Sequence, residues 1–188
     1  SYLMVSTAAI TDQLILVDEQ DNPVGTCEKM EAHRQGLLHR AFSVFIFDAQ
    51  GRMLLQQRAL SKYHSGGLWT NACCSHPFPG EENLSAARRR LQEELGFTTR
   101  LSKAFDFYYR AEFDNGLTEH EFDHVFVGQY EGALEVNPQE VMDYCFLSLE
   151  EIQNQLTTRP DRYTAWFKIA FPRLKSWKQE QQSTTTSK

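Results

Sequence analysis

Three histidines and two glutamates in this chain carry donor atoms that a metal ion can use: His33, His39, His76, Glu119 and Glu121. Glu119 and Glu121 stand two apart at the start of an expected strand, so their carboxylates share a face with Val125 and Val127. Two like charges side by side want a cation. His33 and His39 are six apart, which suits neither one helical face nor one strand. They can converge only if residues 34–38 turn around Gly36. Mixed imidazole and carboxylate donors favour Zn2+, Mn2+ or Fe2+ over Ca2+. His64, His120 and His124 are also available. The last two fall on the opposite face of the strand from the glutamates, and all three are read as structural.

Two further groups could do chemistry. In T-N-A-C-C-S-H-P at 70–77, a cysteine pair stands beside His76, and a thiol in a reducing compartment can act as an acid or base. In R-R-R-L-Q-E-E-L-G-F at 88–97, Arg90 and Glu94 lie one helical turn apart. A solvated ion pair is the ordinary reading of such a spacing. Alternatively, a single glutamate can anchor Mg2+, which keeps waters and takes further ligands from substrate phosphates.

The elements that must position these residues are legible in outline. Leu14–Val17 and Ala41–Phe47 read as strands, and the turn D-A-Q-G at 48–51 joins the latter to a second hairpin strand ending near Arg58. Residues 59–82 carry Gly66, Gly67, Pro77, Pro79 and Gly80 and read as a long functional loop. A helix is expected from an N-cap at Asn83 or Ser85 to a stop at Gly96, with Leu84, Ala87, Leu91 and Leu95 on its apolar side. Ala104–Phe113 and Phe122–Tyr130 flank the turn D-N-G, and Tyr144–Leu147 adds a short strand. Ser148 and Glu151 form a capping box for a helix through Leu156. An aromatic helix from Tyr163 to Trp177 is expected to be interrupted near Pro172.

The 188 residues suit one domain, with 41% hydrophobic and 23% charged residues and no apolar run of membrane-spanning length. Residues 1–13, an N-terminal extension, lack a basic leader and apolar core, so a cytoplasmic location is expected. The four cysteines are too few and too irregular for a disulfide framework. A net charge of −6 argues against nucleic acid or an anionic membrane as partner, while local Lys and Arg can still bind phosphate. Residues 14–178 make the domain, and the polar tail 179–188 is expected to be disordered.

Ser75, Glu81, Arg89, Arg90, Leu91, Gln92, Glu93, Glu94, Leu95, Gly96 and Phe97 align without a break to the Nudix signature, G-x5-E-x7-R-E-U-x-E-E-x-G-U with U apolar. Ser75 replaces its first glycine, and Arg90 replaces the glutamate after the arginine, removing a carboxylate that a hydrolase would use for Mg2+. Further motifs are E-K-x-x-A-H at 28–33, L-H-R-A-F-S at 38–43, Q-R-A-L-S-K at 57–62, W-T-N-A-C-C-S-H-P at 69–77, Y-R-A at 109–111, E-H-E at 119–121 and E-V-M-D-Y at 140–144. In this ordered set, covering about residues 14–170, the chain resembles the type I isopentenyl diphosphate isomerases of the Nudix superfamily.

The resemblance implies a single compact α/β domain of Nudix type, a mixed sheet flanked by helices, that shifts the double bond of a prenyl diphosphate through a tertiary carbocation. His33, His39, His76, Glu119 and Glu121 would hold one divalent metal (Zn2+, Mn2+ or Mg2+), and Glu94 would hold Mg2+ with the diphosphate. Glu121 with Tyr109 would deliver a proton and Cys74 remove one, leaving Cys73 to packing. Trp166 would face the carbocation, with Trp69 a second candidate. Lys29, Arg58 and Lys62, assisted by Arg90, would bind the diphosphate. The His33–His39 step is one residue shorter than in some bacterial members. A monomer or weak homo-oligomer is expected. A Nudix hydrolase of nucleotide or prenyl diphosphates, or a non-catalytic metal-binding module, is the competing reading.

Overall fold

The computed structural model describes residues 13–186, with side chains to residue 183. The extension at 1–12 lies outside the described residues. Strand β1 (Gln13–Val17) pairs antiparallel with β2 (Pro23–Glu28), whose exposed side chains hide it from any reading by alternation. Helix α1 (Lys29–Gln35) follows; the Glu28 carboxylate accepts from the Met30 and Glu31 amides, and Gly36 closes the helix at φ 66°. That left-handed glycine is the expected turn, and it delivers the chain directly into β3 (His39–Phe47).

β3 is the central strand. It pairs in parallel with β8 (Thr118–Gln129) from His39↔Glu121 to Phe47↔Gln129, and antiparallel with β6 (Cys73–Ser75), with one-residue contacts to β1 and to β4 (Met53–Arg58). β5 (Trp69–Asn71) and β9 (Val141–Leu147) pair with β4, and β7 (Leu101–Glu112) pairs with β8, completing a mixed nine-stranded sheet. β5 and β6 lie inside the stretch expected to be loop. Each is only three residues long, so neither shows a period in sequence. β7 and β8 begin earlier than expected, at Leu101 and Thr118.

The continuous apolar run of β3 reflects burial on both faces. Phe42, Val44 and Ile46 pack under helix α2 (Asn83–Leu95), with Leu91, Leu95 and Ala87. Phe45 and Phe47 pack against α4 (Ala165–Thr186), with Phe167, Phe171 and Leu174, and against Ile152 of α3 (Leu149–Thr158). The N-cap position of helix α2 is Glu82, with no side-chain capping bond, rather than Asn83 or Ser85, and Gly96 ends the helix as expected at φ 74°. The Ser148–Glu151 capping box forms.

α4 does not break at Pro172. An interior proline costs roughly 3 kcal/mol, but Phe167, Ala170, Phe171 and Leu174 bury their side chains on both sides of it, at ~1.5–3 kcal/mol for each large apolar group. The helix also continues through residues 179–186, where a disordered tail is expected; Gln179, Glu180, Gln181 and Gln182 at its start are good helix formers. No helix among the described residues is long and apolar enough to cross a membrane.

Candidate active site

Strand parity puts the site on the α4-facing side of the sheet. Along β8, Glu119, Glu121 and Asp123 share the face of core residue Val125, and the parallel register sets His39 opposite Glu121. His39 donates from Nδ1 to the Leu37 carbonyl at 2.9 Å, which turns Nε2 toward Glu121 Oε2 at 3.2 Å. His76, just past β6, brings its Nε2 to the same oxygen at 3.0 Å. His33, in the last turn of α1, bonds the Lys29 carbonyl through Nδ1 at 2.6 Å. Its Nε2 is buried with no hydrogen-bond partner among the described residues, 3.8 Å from Glu119 Oε1.

The five expected ligands therefore converge, in overlapping triangles of His33, His39 and His76 and of His76, Glu119 and Glu121. A backbone carbonyl fixes the tautomer of His33 and of His39, leaving the outer nitrogen for coordination. The orphaned Nε2 of His33 fits a cation at the centre, and the cluster is compatible with a divalent metal. Burial drives His76 down to about 4, with His39 and His33 adding to that and Glu121 opposing it, so it stands neutral and able to ligate. Burial and the charge of Glu121 push Glu119 up to about 7. Burial also lifts Glu121, but the adjacent His39 and His76 rings, at 3.2 and 3.0 Å, outweigh it and hold the carboxyl well below the usual range.

A cavity of about 400 Å3 opens over this cluster. Glu121 and Glu119 reach it from β8, His76 and Cys74 from the β6 segment, Tyr109 from β7 and Trp166 from α4. His33 and His39 are fully buried behind its wall. Tyr109 donates to Glu121 Oε1 at 2.7 Å and to Glu119 Oε2 at 3.3 Å. The Cys74 thiol donates to Asn71 Oδ1 at 3.2 Å, and burial pushes its pKa up, so the sulfur is protonated at rest. Trp166 is nearly buried, with the Arg58 guanidinium 5.0 Å from its ring. Trp69 packs in the core with Tyr163 and Phe167 and does not line the cavity, and Cys73 is fully buried in the α2-side core. The Cys73 thiol has a second contact, donating to Glu94 Oε2 at 3.2 Å.

The cavity lining is also ionic. Lys29, Arg58, Lys62 and Arg90, the four expected diphosphate ligands, belong to it together with Arg89 and Glu94. Arg90 is spoken for by Glu93 at 2.6 Å, Glu94 at 3.2 Å and Glu140 at 3.5 Å. Gln56 donates to the other oxygen of Glu94 at 3.1 Å. Glu81 and Arg89, both in the signature stretch, form a two-bond ion pair at 2.9 Å that ties the loop after His76 onto α2.

Tyr63, His64 and Glu140 are among the cavity residues given no site role from sequence. Glu140 opens the E-V-M-D-Y motif, a signal that was present. His64 was read as structural but reaches the metal cluster, 3.8 Å from Glu119. Its approach depends on long-range folding that no local period reports. His120 and His124 keep the structural reading, bonded to the Gly36 carbonyl and to Asp21 and Lys103 respectively.

Comparison with known proteins decides the family. A family profile described as NUDIX domain matches residues 37–167. An Aromatoleum aromaticum protein named isopentenyl-diphosphate Delta-isomerase 2 is 53% identical over 163 residues, 87% of this chain and 86% of its own. A Pectobacterium atrosepticum protein named isopentenyl-diphosphate Delta-isomerase is 51% identical, covering 86% of this chain and 90% of its own. This chain belongs to the isopentenyl-diphosphate Delta-isomerase family, within the Nudix superfamily. The Nudix fold of this isomerase family member also matches solved structures. DR0079 from Deinococcus radiodurans aligns at TM-score 0.66 and 20% identity over 78% of this chain and 90% of its own. A MutT protein from Methanosarcina mazei Go1 aligns at 0.62 and 21% over 77% and 95%.

Proposed function

We propose that this chain interconverts isopentenyl diphosphate and dimethylallyl diphosphate. One observation carries the chemical side of this reading: two proton-bearing groups, the Cys74 thiol and the Glu121–Tyr109 couple, line one cavity together with Lys29, Arg58 and Lys62. Shifting the double bond adds a proton to the terminal alkene carbon, gives a tertiary carbocation, and then removes a proton from the neighbouring carbon. In our assignment Glu121 with Tyr109 delivers the first proton and Cys74 receives the second, starting from the state in which the resting proton of the Cys74 thiol has passed to the Glu121 carboxyl and left a thiolate. Because the reaction is reversible, each group is the acid in one direction and the base in the other.

Lys29, Arg58 and Lys62, with Arg90 at the edge, hold the diphosphate, and Glu94 binds Mg2+ that arrives with it. A divalent ion on His33, His39, His76, Glu119 and Glu121, of a kind such as Zn2+, Mn2+ or Mg2+, would orient the Glu121 carboxyl and favour its giving up a proton. Trp166 offers the carbocation an aromatic face that is not a nucleophile, worth about 0.5–2 kcal/mol. Arg90 favours isomerisation over hydrolysis. It puts a guanidinium 3.2 Å from Glu94, where the Nudix signature has a glutamate.

Incubating the protein with isopentenyl diphosphate and Mg2+ in heavy water, with 1H NMR detection, tests the roles. Wild type should give dimethylallyl product carrying deuterium, and Cys74→Ser and Glu121→Gln should each lose the exchange. Full exchange in either variant removes that residue from the mechanism.

A further inference from the structure

The ring of His64 fits its surroundings and yet leaves one atom unexplained. It stacks on Phe113 with centroids 4.6 Å apart, and meets Tyr63 and Trp166 edge-on at 4.3 and 5.6 Å. A phenylalanine would fill that aromatic box equally well. The nitrogen Nε2, however, is buried with no hydrogen-bond partner among the described residues, and a side chain only 3% exposed cannot turn it to water. Such a group is costly to bury unless something binds it.

What Nε2 faces is Glu119. It lies 3.8 Å from Oε1, the same oxygen that stands 3.8 Å from the equally orphaned Nε2 of His33. That separation is too long for a hydrogen bond. It suits two ligands of one ion, since donors each about 2.0–2.2 Å from a metal stand about 3 Å apart at a right angle and about 4 Å apart when opposite. His33, His64 and Glu119 form such a triangle, contiguous with the other donor triangles through His33 and Glu119. The loop is held to this aim: Arg58 donates to the His64 carbonyl at 3.1 Å, and Ser65 takes up a left-handed φ of 55°.

We propose that His64 is a fourth imidazole ligand of the metal centre, joining His33 and Glu119 on the side of the ion that faces Trp166. The inference rests on the divalent-metal reading of the His/Glu cluster and extends its donor set by one residue. It makes the centre richer in nitrogen than the five-ligand set, and couples the metal to the loop that also carries Lys62.

Titration of the metal-stripped full chain with Co2+ alone, without diphosphate or Mg2+, tests it through affinity and the visible Co2+ spectrum. Variants are His64→Phe, which keeps the aromatic packing, His64→Ala, and His33→Gln as a control, each checked for wild-type circular dichroism. Loss of a partner of a metal ligand typically weakens binding about 10- to 100-fold, so loss of a ligand itself should cost at least that. Both His64 variants should bind Co2+ at least about 10-fold more weakly with a shifted spectrum. Unchanged affinity and spectrum in a folded His64→Phe protein, with His33→Gln impaired, would overturn the role of His64 alone. Absence of Co2+ binding by wild type would overturn the metal reading itself.

Discussion

Replacing Tyr109 by phenylalanine removes one oxygen and almost no volume from a residue that is 6% exposed, so it isolates a hydrogen bond from packing. The lost hydroxyl donates to Glu121 at 2.7 Å and to Glu119 at 3.3 Å. Hydrogen bonds to charged groups are worth about 1.5–3 kcal/mol. At 1.36 kcal/mol per factor of ten, a bond used fully in the transition state would cost about 10- to 150-fold in kcat. Tyr109 hydrogen-bonds the two glutamates and none of the cations lining the cavity, so KM should stay within about twofold while kcat falls. Steady-state conversion of isopentenyl diphosphate, with thermal melting to confirm the fold, measures both. A kcat within about twofold of wild type would refute the assignment of Tyr109 to proton delivery. A large rise in KM at constant kcat would move it to substrate binding.

Leu91→Ala, in the fully buried contact between α2 and β3, should cost about 2–5 kcal/mol and lower Tm by roughly 5–15 °C. Calorimetry showing less than a few degrees would mean the core does not rest on that helix. Burial lifts the Glu81 carboxyl, but bonds from Arg89 and the Phe78 amide outweigh it and hold it below its ordinary 4.5. The ion pair's stabilisation is therefore complete above that pH and lost as pH falls through the lower folded-state value. The Tm gap between wild type and Glu81→Gln should accordingly close in acid, and a gap constant from neutral to strongly acid pH would refute the clasp. With Glu119 raised to about 7, a proton must leave that carboxyl before metal binds below neutrality. Co2+ affinity should fall by about fivefold between pH 7 and 6 for the one proton displaced, and a flat profile would count against Glu119 as a ligand.

The site was legible where chemistry and local geometry coincide. Period-two spacing placed Glu119 and Glu121 on one face, and Gly36 announced the turn that lets His33 and His39 meet, because side-chain alternation and a left-handed glycine are properties of a few adjacent residues. Helix α1 left a readable trace in Glu28 and Gly36 but is only seven residues long, too short to show a period. What failed was what depends on distant partners. β6 exists because β3 offers it a strand edge, Pro172 is tolerated because α4 is pinned to the sheet, and His64 meets Glu119 only after the 54 residues between them have folded. The N-terminal extension expected at 1–13 yields only Gln13, which opens β1.

The most direct test of the central claim is the fate of isopentenyl diphosphate itself, followed by 1H and 31P NMR with the full chain and Mg2+. The account predicts two allylic methyl signals growing in while both phosphorus resonances of a diphosphate ester persist. Release of inorganic phosphate or of a prenyl monophosphate, without the allylic signals, would contradict it.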